Sequence, residues 1–184
     1  MVFDDDSVSS FNWAGEVSKE DIIDAGLYDS ASYEWLRKPV DVRLGDAVTS
    51  IGNEAFTECT SLKSITIPAS MKSIGNATFD FCTNLTSISI LEGITAIGEA
   101  AFGRCLNLTN IIMPASVVSI GPDVFFDVGL RSLIFKGKTL AEVKAMPNYP
   151  WGINNTSIIS TWNDASQEFV DSKLSGYVQT SAFT

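Results

Sequence analysis

The sequence predicts an α/β solenoid: a short stack of repeats with one parallel sheet of about five strands and a cap at each end. Three observations carry this. First, Cys59, Cys82 and Cys105 are spaced 23 residues apart, and so are Gly52, Gly75, Gly98 and Gly121, then Phe56, Phe79, Phe102 and Phe125, then Ile51, Ile74, Ile97 and Ile120. Columns locked in one register mark a unit that cannot bury its apolar face alone and stacks on its neighbours. Second, each unit ends in L-x-x-I-x-I, the period-two alternation of a half-buried strand. Third, the copies degenerate at both ends of the array, as terminal repeats of a solenoid do.

Taken in order, residues 26–46 form a degenerate first repeat. Stepping back 23 residues from Ile65 and Ile67 gives Val42 and Leu44, from Phe56 gives Tyr33, and from Cys59 gives Leu36. Three full copies follow: IGNEAFTECTSLKSITIP (Ile51 to Pro68), IGNATFDFCTNLTSISIL (Ile74 to Leu91) and IGEAAFGRCLNLTNIIMP (Ile97 to Pro114). A fourth, IGPDVFFDVGLRSLIF (Ile120 to Phe135), has Val128 at the Cys column and is one residue shorter after it. The pairs Val42/Leu44, Ile65/Ile67, Ile88/Ile90, Ile111/Met113 and Leu133/Phe135 are expected to point inward, on parallel strands about 4.8 Å apart. Pro68 and Pro114 close two strands where a lost N–H matters least. The periodic Gly is expected where backbone turns or approaches closely, and the Phe column as an aromatic spine on the opposite side.

After the repeats, Thr139-Leu-Ala-Glu142 is a capping box, so a helix is expected from there to about Met146, with Pro147 as its stop. Leu140, Val143 and Met146 are placed to cover the open end of the core, and Asn148 to Gly152 is a turn whose two aromatics pack on the last repeat. Beyond Asn154 the chain is rich in Ser and Thr, with a short helix expected near residues 164–174 and extended chain around it. The resulting division is an acidic N-terminal segment with a capping repeat (1–46), the 23-residue repeats (47–135), a C-terminal cap helix and turn (136–153) and a polar tail (154–184).

Composition narrows function. The 184 residues include no histidine, which removes the usual general base near neutral pH, His-containing zinc sites and the Ser-His-Asp and Cys-His nucleophiles. The formal charge is 12 − 22 = −10, so nucleic-acid binding through a basic surface is not expected. Residues 1–46 carry 4 − 11 = −7 of it and residues 47–184 the remaining 8 − 11 = −3. Solubility and shielding of a terminus explain this acidity most simply; imitation of nucleic acid is the sharper reading. No basic segment followed by an apolar run opens the chain, and no stretch approaches 18 apolar residues, so neither a signal peptide nor membrane insertion is expected.

The unit I-G-x-x-A-F-x-x-C-x-x-L-x-x-I-x-I-P resembles the BspA-type leucine-rich repeat, over about residues 40–135. That resemblance implies a curved solenoid used for adhesion or protein binding, of a kind common in bacterial surface proteins, some protozoan surface proteins and phage-encoded proteins. The segment TLAEVKAMPNYPWGI (Thr139 to Ile153) resembles a tail that follows such repeats in proteins of gut bacteria and their phages. The fourth repeat departs from the pattern in lacking Cys, which suggests that the array ends there. The array is also short for a free-standing adhesin, which favours one module of an assembly, or an intracellular binder.

The candidates for chemistry are weak. Three Cys at equivalent positions of stacked repeats make a ladder, not a tetrahedral metal cluster, and Val128 in their column points to packed thiols. An odd count gives no disulfide framework. Gly137-Lys138-Thr139 lacks the Gly that a phosphate-binding loop needs five residues upstream, where Ser132 stands. Asp4-Asp5-Asp6 lacks the spaced ligands, Gly and late Glu of a calcium loop. Asn84-Leu-Thr86 and Asn107-Leu-Thr109 have the glycosylation spacing but fall inside repeats and carry no meaning without secretion. The expectation is therefore a non-catalytic protein with no cofactor and no metal.

A partner-binding face follows from the alternation. Residues between and before the inward pairs face out in two rows: Arg43, Thr66, Ser89, Ile112 and Ile134, and Asp41, Ser64, Ser87, Asn110 and Ser132. Small polar residues fill most of both rows and leave a smooth surface. Ile112 and Ile134 are the apolar exception, either a contact anchor or covered by the C-terminal segment through Tyr149 or Trp151. The expected function is a structural or receptor-binding component of a phage or bacterial surface assembly. Its partner would be another protein or a surface glycan, with assembly into a larger complex through the termini. The alternative is a cytoplasmic inhibitor that occupies a basic site on a host nucleic-acid enzyme.

Overall fold

The computed structural model describes residues 9–11, 15–18, 20–21, 28–29, 34–35, 40–154, 156–163 and 168–170. Along the chain the strands are β1 (Ser9–Phe11), β2 (Gly15–Val17), β3 (Tyr28–Asp29), β4 (Glu34–Trp35), β5 (Val40–Leu44), β6 (Val48–Ile51), β7 (Leu62–Ile67) and β8 (Ser73–Ile74). They continue as β9 (Ser87–Ile90), β10 (Ala96–Ile97), β11 (Asn110–Met113), β12 (Ser119–Ile120) and β13 (Ser132–Lys136). After the helix α1 (Leu140–Lys144) come a 3-10 turn (Thr156–Ile158), β14 (Ile159–Asn163) and β15 (Glu168–Val170).

Each repeat contributes a long and a short strand, so the chain winds as a coil with two parallel faces. The short strands form a back sheet in the order β12-β10-β8-β6-β2. The long strands form the front in two ladders, β1-β5-β7-β9 and β11-β13-β14-β15, parallel except at β15. Strands β9 and β11 lie side by side without a registered ladder between them. Among the described residues seven parallel strands thus line the front, where the sequence suggested about five. The extra ones are β1, ahead of the degenerate repeat, and β14, paired to β13 through Leu133↔Ile159 to Lys136↔Trp162. The expected helix near 164–174 is replaced at Glu168–Val170 by β15, which turns back antiparallel on β14.

The repeats are turns of a β-solenoid with little helix, which corrects the α/β expectation. The cause lies in the segment around each Phe. Positive φ recurs at Glu54 (59°), Ala77 (48°), Ala100 (50°) and Asp123 (51°), and again at Glu58 (62°), Phe81 (58°), Arg104 (56°) and Asp127 (52°). A residue in the left-handed region cannot continue a right-handed helix, and each such non-glycine residue costs about 1 kcal/mol. In return, alternate N–H groups turn along the stack. Glu54, Phe56 and Glu58 donate to the carbonyls of Asn76, Thr78 and Asp80. Ala77, Phe79 and Phe81 donate to Glu99, Ala101 and Gly103, and Ala100, Phe102 and Arg104 to Pro122, Val124 and Phe126, every bond between 2.8 and 3.1 Å in length.

The interior is built of columns. Phe56, Phe79, Phe102 and Phe125 stack with ring centroids 5.4, 5.7 and 6.1 Å apart. Trp151 ends this spine edge-on to Phe125 at 6.5 Å, touches Phe135 and Tyr149, and bonds its indole N–H to Pro147 O at 2.6 Å. Cys82 and Cys105 are fully buried free thiols, their S–H groups donating to Phe56 O and Phe79 O, each at 3.1 Å. Burial pushes the Cys105 thiol far above its ordinary range. The position before each Phe, held by Ala55, Thr78, Ala101 and Val124, is buried, and so is a column that was not singled out from the sequence, Val48, Met71, Ile94 and Val117. Thr78 fits because its hydroxyl donates to Gly75 O at 2.9 Å. The capping box of α1 is present: Thr139 Oγ1 accepts from Glu142 N at 3.3 Å, and Thr139 N donates to Glu142 Oε2 at 2.7 Å. The Thr139 N–H and the Thr139 hydroxyl, which donates to Glu142 Oε2 at 2.9 Å, hold the Glu142 carboxyl below its ordinary range.

The Gly column is explained by close approach, not by positive φ. A Cβ on Gly98 would lie 2.6 Å from Asn76 N, and one on Gly121 would lie 2.6 Å from Glu99 N. Two outcomes follow. Gly98→Ala is expected to lower stability by about 1–3 kcal/mol, because backbone cannot yield, whereas Gly45→Ala, with nothing within 4 Å of the added carbon, is expected to be near neutral. Urea unfolding of both variants checks this, and equal midpoints would refute it. For the Cys column, Cys82→Val is expected within about 1 kcal/mol of wild type, since Phe56 O keeps the Cys59 N–H at 3.1 Å. Cys82→Asp should lose several kcal/mol through a buried charge. Rapid labelling of native Cys82 by a thiol reagent would contradict the burial.

Candidate functional site

The outward rows of the front sheet are built by the same alternation that fills the core. Val42, Leu44, Ile65, Ile67, Ile90, Ile111, Met113, Leu133 and Phe135 point inward and are buried; Ile88 is half-buried. Between them, cross-strand register aligns Asp41 with Ser64 and Ser87, and Arg43 with Thr66 and Ser89. Farther along, Asn110 aligns with Ser132, and Ile112 with Ile134 and Ser160. Strands β9 and β11 adjoin without a registered ladder, so register is shown within each half of the face and the two halves lie next to each other.

The N-terminal group is polar. Ser64 Oγ donates to Asp41 Oδ1 at 2.5 Å, tying two members of one row to each other. Arg43, Ser87 and Ser89 are exposed, while Asp41, Ser64 and Thr66 are half-buried. In the C-terminal group, Asn110 is exposed and Ser132, Ile112 and Ile134 are half-buried. Their next neighbour in register, Ser160, is only 6% exposed, so the row passes from open to covered across one strand. Trp151 does not provide that cover: it sits inside the solenoid against Phe125 and Phe135, on the far side of β13 from Ile134.

A second cluster escaped sequence reasoning. Phe81, Leu106 and Phe126 are exposed at 39%, 51% and 52%. All three border Arg104, whose guanidinium lies 3.9 Å above the Phe81 ring and binds Asp80 through two nitrogens at 3.1 and 2.6 Å. Arg104 N donates to Phe126 O at 2.8 Å, and Leu106 N donates to Arg104 O at 3.0 Å. The signal was present in the repeat columns. Phe81 stands among Glu58, Arg104 and Asp127, Phe126 among Thr57, Asp80 and Gly103, and Leu106 among Thr60, Thr83 and Gly129. Each is the apolar exception in a column that the fold leaves to polar or small residues.

Among the described residues no three His, Cys, Asp or Glu side chains converge as a metal site, and no helix is long and apolar enough to cross a membrane. Lys138 Nζ donates to Ala115 O at 2.7 Å and Thr139 caps α1, so both polar residues of the Gly-Lys-Thr triplet have structural partners.

Comparison with curated proteins finds no match. Among solved structures, a leucine-rich repeat protein from Eubacterium ventriosum is similar at 22% identity and a TM-score of 0.56, over 72% of this chain and 34% of that one. A leucine-rich repeat protein from Bacteroides capillosus shares 31% identity over 60% of this chain and 71% of that one, with a TM-score of 0.46. The pneumococcal vaccine antigen PcpA shares 18% over 60% of this chain and 33% of that one, with a TM-score of 0.48. The chain therefore spans about a third of the length of the first of these. The family model of the BspA type leucine rich repeat region matches residues 29–146 in six copies, which covers the interlocked Ile, Gly, Phe and Cys columns described above, and the chain belongs to that family.

Proposed function

We propose that this chain is a non-catalytic protein-binding repeat module, a structural or receptor-binding component of a phage or bacterial surface assembly. The observation that carries the reading is the in-register pair Ile112 and Ile134 on an otherwise polar front face. Two half-buried apolar side chains on neighbouring strands, beside the exposed Asn110 and the half-buried Ser132, give a partner an anchor within a surface it can approach closely. The remaining residues of the face, Asp41, Arg43, Ser64, Thr66, Ser87 and Ser89, would supply hydrogen bonds to a protein or a surface glycan. Family membership supports binding over catalysis. The resemblance of residues 139–153 to tails in gut bacterial and phage proteins supports the surface or virion setting, with assembly through the termini.

The concentration of acid in residues 1–46, 11 against 4 bases, favours a second reading as a decoy for a basic nucleic-acid enzyme. Fractionation separates the two: recovery with virions or the cell envelope supports the first, and copurification with a basic host enzyme supports the second. For the face itself, Ile112→Ser with Ile134→Ser is expected to change stability by no more than about 1 kcal/mol while weakening capture of the virion or envelope partner. A larger loss of stability with binding intact would assign both residues to the core and end the proposal at those positions.

A further inference from the structure

The repeat stack does not require the apolar side chains around Arg104. The columns that hold Phe81, Phe126 and Leu106 accept Glu, Thr, Asp and Gly at equivalent positions elsewhere in the stack. Phe81 packs under Arg104, yet Phe81, Leu106 and Phe126 stay 39%, 51% and 52% exposed at positions that border one residue, and large apolar side chains exposed in one region mark an interaction surface. Its charge selects the partner. Asp80 already neutralises Arg104 at 2.6 Å, and Glu58 and Asp127 occupy the repeats on either side of Phe81 and Arg104 in the same column. Both are exposed, and among the described residues neither lies within ion-pair distance of a cation, although Asp127 also attracts Arg104 at longer range. Asp123, also exposed, adds a third carboxylate one turn of chain before Phe126, and its carbonyl accepts the Phe126 N–H at 3.0 Å. An apolar centre within an acidic rim repels nucleic acid and anionic lipid and attracts cationic side chains.

We propose that the Phe81–Leu106–Phe126 cluster around Arg104 docks a protein segment whose apolar side chains are flanked by lysine or arginine. The apolar side chains of that segment cover the two rings and Leu106, and its cations meet Glu58, Asp123 and Asp127. This surface is built from the loops around the Phe spine and does not depend on the front-sheet face.

The test uses the full chain and two synthetic peptides, one of alternating leucine and arginine and one with every arginine replaced by glutamate. Fluorescence anisotropy should show binding of the first and none of the second. Phe81→Ser with Phe126→Ser should weaken binding about ten-fold or more, the effect of removing a central apolar anchor. Asp127→Asn should weaken it less and reduce its salt dependence. Ile112→Ser with Ile134→Ser should leave it unchanged, so that failure here and failure of the front-face reading are distinguishable. If the double Phe variant melts early, Leu106→Ser alone supplies the test, since Thr60 and Thr83 hold its column. Undiminished binding by the folded variants would reduce the attraction to the net charge of −10 and overturn the proposal. So would self-association that the same substitutions abolish, which would assign the surface to a second copy of the chain.

Discussion

Buried backbone N–H groups must find acceptors, and in the segments around Phe56, Phe79 and Phe102 every second one finds it in the next repeat. This requirement organises the molecule. A right-handed helix would satisfy those groups within the segment, but Glu54 and Glu58, with their successors, hold left-handed backbone and turn alternate N–H groups along the stack. The strain is tolerated because the bonds it allows also bring the Phe rings within 5.4 to 6.1 Å of one another. Ring stacking, backbone bonding and the Gly contact at the back sheet then fix the same register. All three recur at the 23-residue step.

Much of this was legible in the sequence because solenoid columns are a direct print of stacking. The inward Ile pairs, the Phe spine, the buried Cys ladder and the capping box at Thr139 are where the spacing put them. The nature of the connecting segment was not legible. Glu54, Ala77, Ala100 and Asp123 share no side-chain feature that announces positive φ, and glycine, the usual signal, is absent from that column. Strand β14 was missed for a related reason: Ile159 and Thr161 carry the alternation, but the longer stretch before them breaks the 23-residue step. Trp151 likewise takes the spine position although a strict step from Phe125 leads to Asn148.

Function separates from fold along the same columns. Where stacking dictates the residue, as at Phe79 or Gly98, the side chain is spent on the neighbour above or below and has nothing left for a partner. Where the column drifts among polar residues, an apolar exception is free to serve recognition. Ile112 with Ile134 on the front sheet and Phe81 with Phe126 at the loops are two such exceptions on different faces. The front pair is half-buried in a sheet of small polar residues, whereas the loop cluster is more open and acid-rimmed, so the two surfaces would select chemically different partners.

The claim that inter-repeat backbone bonding organises the solenoid is tested most directly by native-state hydrogen exchange at the amides of Phe79, Phe81, Phe102 and Arg104. These lie in segments with no regular secondary structure, where exchange is ordinarily fast. Bonded to the next repeat at 2.8 to 3.1 Å, they should open only with the stack itself, exchanging as slowly as the amides of β7 and β11 and slowed by a factor of about 1,000 or more for a domain of ordinary stability. Exchange at these four sites within about ten-fold of the unfolded chain, with β7 and β11 still protected, would show that the loops open independently and would contradict the account.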